Sequence, residues 1–454
     1  MKAPIVFQDK AESLHKLVTI TIDIVIILSI VLNILIFFRS KVKISNNIIP
    51  KNKYSQVDNR LPPEPSPFPY TQQELDEAIK GLHLPTWSRS YVPCTSPKSE
   101  VTCPQIIEAW RTIKRWITYM DNTTIENREY IKINHVTNGV GNRISMDITM
   151  FLLSLMTNRT MVIQGNFVQQ GHIVSQSGNA YKYRKHIYDM NNTFSQILSK
   201  RPQKEIDTFS GWYSSDFYSQ GGKTLCLNLL IFSSMIYVQH QLSAFAYSHF
   251  GMHAIYFLSN FLIEIPNENL EYILKLFKTV PKNVRIFGIH LRFHMPGHYF
   301  TYGIQPNMKA LVPFLLDKMN NKPTMFAFTS DSKDMEKEFL KVFGNYTILT
   351  DSVKRPDFDH ASALVDILFM TATNECLGTF RSSFSFNAIS KMCKRGYYIE
   401  KYSAQIFQMS NSQVGAISMQ YHAWDRHDWQ TSRRFVLAVQ SEKCLRLFFN
   451  YFIL

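Results

Sequence analysis

At 454 residues the chain is long enough for two or three domains with a large core, which excludes a small peptide-like scaffold. Hydrophobic residues make up 45%, charged residues 19% and aromatics 13%, which excludes a largely disordered, collagen-like or low-complexity polymer. With 49 Lys and Arg against 35 Asp and Glu, the formal charge of +14 predicts a surface that attracts anions, whether nucleic acid, anionic lipid or a phosphorylated small molecule.

Residues 1–16 form a short leading tail. From Leu17 to Phe38 the chain is apolar, with a single charge at Asp23 and one amide at Asn33. That length spans a bilayer core of about 30 Å. The run ends in Phe37-Phe38-Arg39 rather than in small residues, so it reads as an uncleaved transmembrane signal anchor and not a cleaved leader. Lys2, Lys10 and Lys16 precede it, while Arg39, Lys41, Lys43, Lys51 and Lys53 follow it. Charge bias alone would therefore place the C-terminal bulk in the cytosol.

Two features point to the lumen instead. Asn122, Asn158, Asn191 and Asn345 each open an N-x-Thr glycosylation sequon, although a chain rich in Asn has a few by chance. Six cysteines, at 94, 103, 226, 376, 393 and 444, all follow the span, an even number compatible with disulfides or with buried thiols. Cys94 and Cys103 flank a short Pro-containing loop and are the first candidate pair.

Residues 39–124 comprise a stalk and leading helices. Pro62, Pro63, Pro65, Pro67 and Pro69 keep the stalk extended, and helical periodicity starts at Thr71 and again at Gln105–Met120. Residues 125–280 begin with a β-loop-α-β unit: a strand over Glu129–Val136, a glycine turn at Asn138–Arg143, a helix over Ile144–Met156 and a strand from Met161. The remainder of this region reads as loops and apolar helical stretches such as Leu225–Tyr237 and Asn269–Lys278.

In residues 281–454 the alternation is clear. Strands are predicted at Val284–Arg292, Met325–Thr329, Tyr346–Leu349, Glu375–Thr379 and Gly396–Ile399, with helices at Met335–Val342, His360–Thr373 and Phe384–Lys391. Strands alternating with helices define an α/β class with a parallel sheet wound on both faces. Two such regions predict two Rossmann-like domains facing a cleft.

Ligands of wound sheets bind at the carboxyl ends of strands, and four such ends carry anion-friendly chemistry. Gly139, Gly141, Asn142 and Arg143 lead into a helix. His290, Arg292 and His294 alternate along a strand and share one face. Thr329-Ser330-Asp331-Ser332 ends the next strand, and Gly378-Thr379-Phe380-Arg381-Ser382-Ser383-Phe384 opens a helix.

In this order the motifs resemble those of the GDP-fucose-dependent fucosyltransferases, the superfamily of α1,2-, α1,6- and protein O-fucosyltransferases. The Asn138–Arg143 run resembles their first sugar-nucleotide loop, His290-x-Arg292 their H-x-R motif, and Asp366 through Phe386 their last donor motif. The resemblance covers roughly 130–165 and 284–400. It implies a GT-B fold in a single-pass type II Golgi membrane protein. Donor GDP-fucose would be held mainly by the C-terminal domain, a glycan or glycoprotein would be the acceptor, and no metal or other cofactor would be needed. Arg292 would contact the diphosphate as the catalytic residue, and His290 would support the nucleotide pocket. Ser382, Ser383 and Phe384 would cradle phosphates, Asp331 would contact guanine or ribose, and Gly141, Asn142 and Arg143 would approach from the other domain. The chain departs from the longer H-x-R-R-x-D form, with Phe293 and Met295 at the second Arg and the Asp. The base is unassigned among Asp216, His249 and Glu264.

Other readings are weaker. Asp357-Phe358-Asp359 has the letters of a metal-binding D-x-D, but it immediately precedes a predicted helix and suits its capping. His290, His294 and His298 have helical zinc spacing, yet Pro296-Gly297 breaks a helix and Arg292 repels a cation. Basic residues are scattered, without a nucleic-acid-binding module. The remaining alternatives are an inactive or binding-only tethered homologue and a transferase for another nucleotide sugar.

Overall fold

A computed structural model describes residues 70–135, 140–164, 186–189, 196, 198, 200, 203–207, 224–229, 245–246, 248–263, 267–292, 304–350, 360–380, 382–392, 396–399 and 405–409. The chain divides into two units, Met1–Pro63 and Glu64–Leu454, and every described residue belongs to the second. The apolar span 17–38 and the proline-rich stalk lie outside the described residues. Among those described, no helix is long and apolar enough to cross a membrane.

The leading helices start where side chains can cap them. Thr71 and Glu74 form a reciprocal capping box at α1 (Gln72–Gly81), and Thr102 and Gln105 form one at α2 (Cys103–Asp121). Cys94 and Cys103 are joined in a disulfide that closes the loop before α2. Trp116 of α2 is buried and stands edge-on to Phe151, which places α2 against the first sheet's helical layer. The loop between α1 and α2 reaches the other half of the molecule. There the Arg89 guanidinium donates to the carbonyls of Phe277, Val280 and Val284 at 3.0–3.2 Å.

The first sheet is built from β1 (Tyr130–His135), β2 (Thr160–Gln164), β3 (Ile187–Asp189), β4 (Gln203–Asp207) and β5 (Thr224–Leu229), in the order β3-β2-β1-β5-β4. Its pairings are all parallel. Helix α3 (Val140–Thr157) connects β1 to β2. Two strands here correct the sequence reading. Leu225–Leu229 belongs to a strand where the apolar run predicts a helix, and Gln203–Asp207 is a strand where loops are predicted. A strand paired in parallel on both sides reads as a continuous short apolar run, which periodicity cannot separate from a buried helix. Residues 230–237 lie outside the described residues.

Helices α4 (Ala254–Leu262) and α5 (Asn267–Lys278) lead into the second sheet. That sheet comprises β6 (Arg285–Leu291), β7 (Thr324–Ser330), β8 (Thr347–Ile348), β9 (Glu375–Thr379), β10 (Gly396–Ile399) and β11 (Ile406–Met409). The connecting helices are α6 (Ile304–Asn321), α7 (Lys333–Phe343), α8 (His360–Thr371) and α9 (Ser383–Ser390). The order is β11-β10-β9-β6-β7-β8, parallel except for the β10–β11 pair.

The second sheet reverses its winding direction once, between β6 and β9, whereas in the first both β1-β2-β3 and β4-β5 step toward the β3 edge. That reversal is a switch point, at whose carboxyl end a wound sheet opens a crevice. The halves share a core. One apolar cluster runs from Leu75 and Trp110 through Phe151 and Phe257 to Phe384, Ile389 and Tyr398, so α9 of the second half is packed into the first.

Candidate functional site

Sheet register determines which residues meet at the switch point of the second sheet. Pairing of β6 with β7 sets Leu291 beside Ser330, so the next residues, Arg292 and Asp331, stand together with Arg292 Nε 3.8 Å from Asp331 Oδ2. Both side chains are partly exposed, so the pair is a steering contact more than a source of stability. Pairing of β6 with β9 sets His290 beside Gly378. A Cβ at 378 would lie 2.6 Å from Ser385 Cβ, so the glycine is what lets α9 settle onto β9.

That approach builds a small buried network. Ser385 Oγ accepts the Thr379 N–H at 3.0 Å and lies 2.7 Å from His290 Nδ1. Thr379 Oγ1 accepts the Arg292 N–H at 2.9 Å and donates to the His290 carbonyl at 3.2 Å. The His290 ring stacks on Phe384 with centroids 4.3 Å apart, and both residues are buried. The backbone at Arg292 and the first turn of α9 are thus tied to the same two strand ends. Ser382 caps α9, its hydroxyl accepting the Ser385 N–H at 3.3 Å.

The start of α3, which follows β1, meets this turn from the other half. Gly141, in the first turn of α3, packs so tightly on α9 that a Cβ there would lie 2.4 Å from Phe384 N and 2.7 Å from the Ser383 carbonyl carbon. The Asn387 amide donates to the Gly141 and Ser383 carbonyls, each at 2.7 Å, and bridges the two helices. Two helix N-termini from two different sheets therefore abut. The dipoles of both helix N-termini favour negative charge. Arg143 lies one turn into α3, where burial holds its guanidinium below the usual arginine value while Asp147 acts the other way. A partly desolvated cation attracts an anion more strongly than one in water.

Of the residues expected at the site, the structure brings together Arg292, Asp331, His290, Ser382, Ser383, Phe384 and Gly141. Asn142 and Arg143 share the first turn of α3 with Gly141. Asp331 sits against Arg292, a contact the sequence reading did not include. Asp366, read within the last donor motif, is buried, its carboxylate accepting from Thr329 at 2.7 Å and Thr350 at 3.2 Å, so it pins the ends of β7 and β8. Thr379 and Ser385 stood within the last donor motif without an individual role, and Asn387 was missed. The signal for Asn387 was an amide inside the apolar helix SFSFNAIS.

His249 packs against α2, 3.3 Å from Thr112 Oγ1, and burial with nearby Arg115 lowers its pKa to about 4. Its hydrogen-bond partner belongs to α2 rather than to a strand end. Asn138, Gly139, Asn191, Asp216, Glu264, Phe293, His294, Met295, His298, Asp357, Asp359 and Arg381 lie outside the described residues, as do Cys393 and Cys444. Among the described residues no cluster of His, Cys, Asp and Glu forms a metal-binding group. The sequon residues Asn122, Asn158 and Asn345 are exposed.

Fold and site together define an α/β protein of two mainly parallel sheets in which two helix N-termini meet. The chain matches no family model and no curated protein sequence. Among solved structures it is similar to a mutant of Arabidopsis thaliana FUT1 in complex with GDP, at 13% identity and TM-score 0.43 over 74% of this chain and 81% of that one. It is also similar to the fucosyltransferase NodZ from Bradyrhizobium, at 13% identity and TM-score 0.42 over 63% and 99%. A third is POFUT1 in complex with GDP, at 13% identity and TM-score 0.37 over 59% and 96%.

Proposed function

We propose that this chain is a glycosyltransferase that moves fucose from GDP-fucose to a glycan acceptor without a metal. The observation that carries the proposal is the contact of Gly141 with Ser383 and Phe384, which sets two helix N-termini side by side next to the β6 end bearing Arg292. A nucleotide diphosphate fits that chemistry. The choice of GDP-fucose rests on the order of the sequence motifs at these same strand ends.

Breaking the glycosyl–phosphate bond leaves negative charge on the departing diphosphate and positive charge on the sugar. In this reading Arg292 and the first turn of α9 stabilise the leaving group, and Arg143 with the first turn of α3 closes on it from the other half. Asp331 holds the Arg292 guanidinium ready beside the phosphates. Residues 17–38 anchor the protein as a single-pass type II Golgi membrane protein, with Asn122, Asn158, Asn191 and Asn345 glycosylated on the lumenal side. Protease protection of the C-terminal region in sealed microsomes tests that placement, and its digestion would refute it.

The donor assignment is tested by titrating the full-length chain with GDP and GDP-fucose, with and without EDTA. We expect micromolar binding that EDTA leaves unchanged. Absence of any heat or thermal shift with GDP would sink the assignment. Arg292→Ala should abolish transfer without lowering the melting temperature. Screening GDP and UDP sugars against glycan acceptors, scored by nucleotide release, identifies the donor and acceptor. Binding without release under every condition would instead establish an inactive homologue.

A further inference from the structure

We infer that Ser385 is a positioning residue that fixes His290 as the tautomer carrying its proton on Nε2. The inference follows from counting hydrogens around a buried hydroxyl. Ser385 Oγ has one proton to donate and two lone pairs. One lone pair takes the Thr379 N–H at 3.0 Å. The other close polar atom is His290 Nδ1 at 2.7 Å, and Ser385 is fully buried. If Nδ1 carried the ring proton, Ser385 Oγ would accept it through its second lone pair. The Ser385 proton would then have no acceptor among the described residues, a costly state for a buried hydroxyl. With Nδ1 as acceptor, the Ser385 proton is used.

The fold enforces this arrangement rather than merely permitting it. Gly378 stands beside His290 in the sheet, and only its missing Cβ lets Ser385 come within reach of the ring. Phe384 covers the ring face at 4.3 Å between centroids. Stacking sets the plane of the imidazole, and Ser385 sets which edge faces α9. The far edge then presents an N–H.

The consequence for function rests on the donor reading above. Nε2 as an N–H donor favours a diphosphate at the strand ends, whereas Nε2 as a lone pair would repel one. Ser385 acts on the nucleotide through His290 and need not touch it.

The test is the ring-nitrogen NMR signature of His290 in the full-length chain, labelled with 15N-histidine in detergent and mildly alkaline buffer. A His290→Gln variant assigns the signal. We expect the Nε2–H pattern in the ligand-free protein, a mixture of tautomers in Ser385→Ala, and GDP affinity about fivefold to tenfold weaker in that variant, the range of one lost hydrogen bond. A tautomer change is a readout that loss of packing alone would not produce. An Nδ1–H pattern in the wild type would overturn the inference, as would a Ser385→Ala protein with unaltered tautomer and affinity. Should Ser385→Ala fail to fold, the wild-type spectrum still decides. If the Nε2–H pattern appears but the wild type binds no GDP, the tautomer assignment holds and the donor reading falls.

Discussion

Replacing Gly141 with alanine is the sharpest probe of the contact between the two halves. The added methyl would lie 2.4 Å from Phe384 N and 2.7 Å from Phe384 Cα and the Ser383 carbonyl carbon. These are backbone atoms in the first turn of a buried helix, so no side chain can rotate away. Overpacking of a tight core costs about 1–3 kcal/mol, and a backbone clash belongs at the upper end. Alanine recovers about 1 kcal/mol through helix propensity, leaving a net loss of about 2 kcal/mol. Against a typical total of about 5–15 kcal/mol the protein remains folded, with a melting temperature lowered by a few degrees. Relief of the clash must move α3 and α9 apart by an appreciable fraction of an ångström. A displacement of that kind at the reacting groups costs on the order of tenfold to a hundredfold in rate. Thermal melting with GDP calorimetry and nucleotide release measures both effects. Gly344→Ala is the control: nothing lies within 4 Å of its Cβ position, and stability should stay within about 0.5 kcal/mol of wild type. A Gly141→Ala protein with wild-type melting, GDP affinity and turnover would refute the close approach.

Asn387→Leu should lose about 2 kcal/mol in urea unfolding, because the Gly141 carbonyl is deprived of its bridging donor, and Asn387→Asp should lose at least as much; a change under 0.5 kcal/mol would disprove the bridge. Acid should weaken the fold through His249. Its pKa is lowered in the folded state from 6.5 to about 4 by burial and then Arg115, so the unfolded chain takes up the proton first and stability falls as pH drops through that window. His249→Gln should flatten the profile between those limits, and an unchanged slope would exclude His249 as a cause. Removing the Cys94–Cys103 disulfide by the double Ser substitution should lower stability by about 2–3 kcal/mol, given a sequence separation of 9. Alkylation of both thiols without reductant, measured by mass spectrometry, would contradict the bond.

Much of the second half was legible because its strands and helices differ in period and are separated by turn residues. Arg285–Leu291 and Gly396–Ile399 stand where alternation and apolar runs put them. Helix α6 was not read, since Pro313 stands inside it and argues locally against a helix that packing nevertheless keeps. Strand β11 was also missed: it lies at the edge of the sheet and pairs antiparallel to β10, outside the winding pattern.

The amino-acid sequence by itself determined the α/β class, the apolar span and the residue types at the strand ends, because those follow from local period and composition. It also placed Arg292, Asp331 and Ser382 at the ends of different strands. Tertiary structure alone decided that Arg292 faces Asp331, that Gly378 admits Ser385 to His290, and that Gly141 abuts Phe384. Each of those contacts joins residues far apart in the chain through sheet register and helix packing, and none of the three is written in any local window. Gly141 and Gly378 illustrate the difference: in sequence one is a turn glycine and the other stands near the end of a strand, and in the fold each is the missing side chain that lets two distant elements touch.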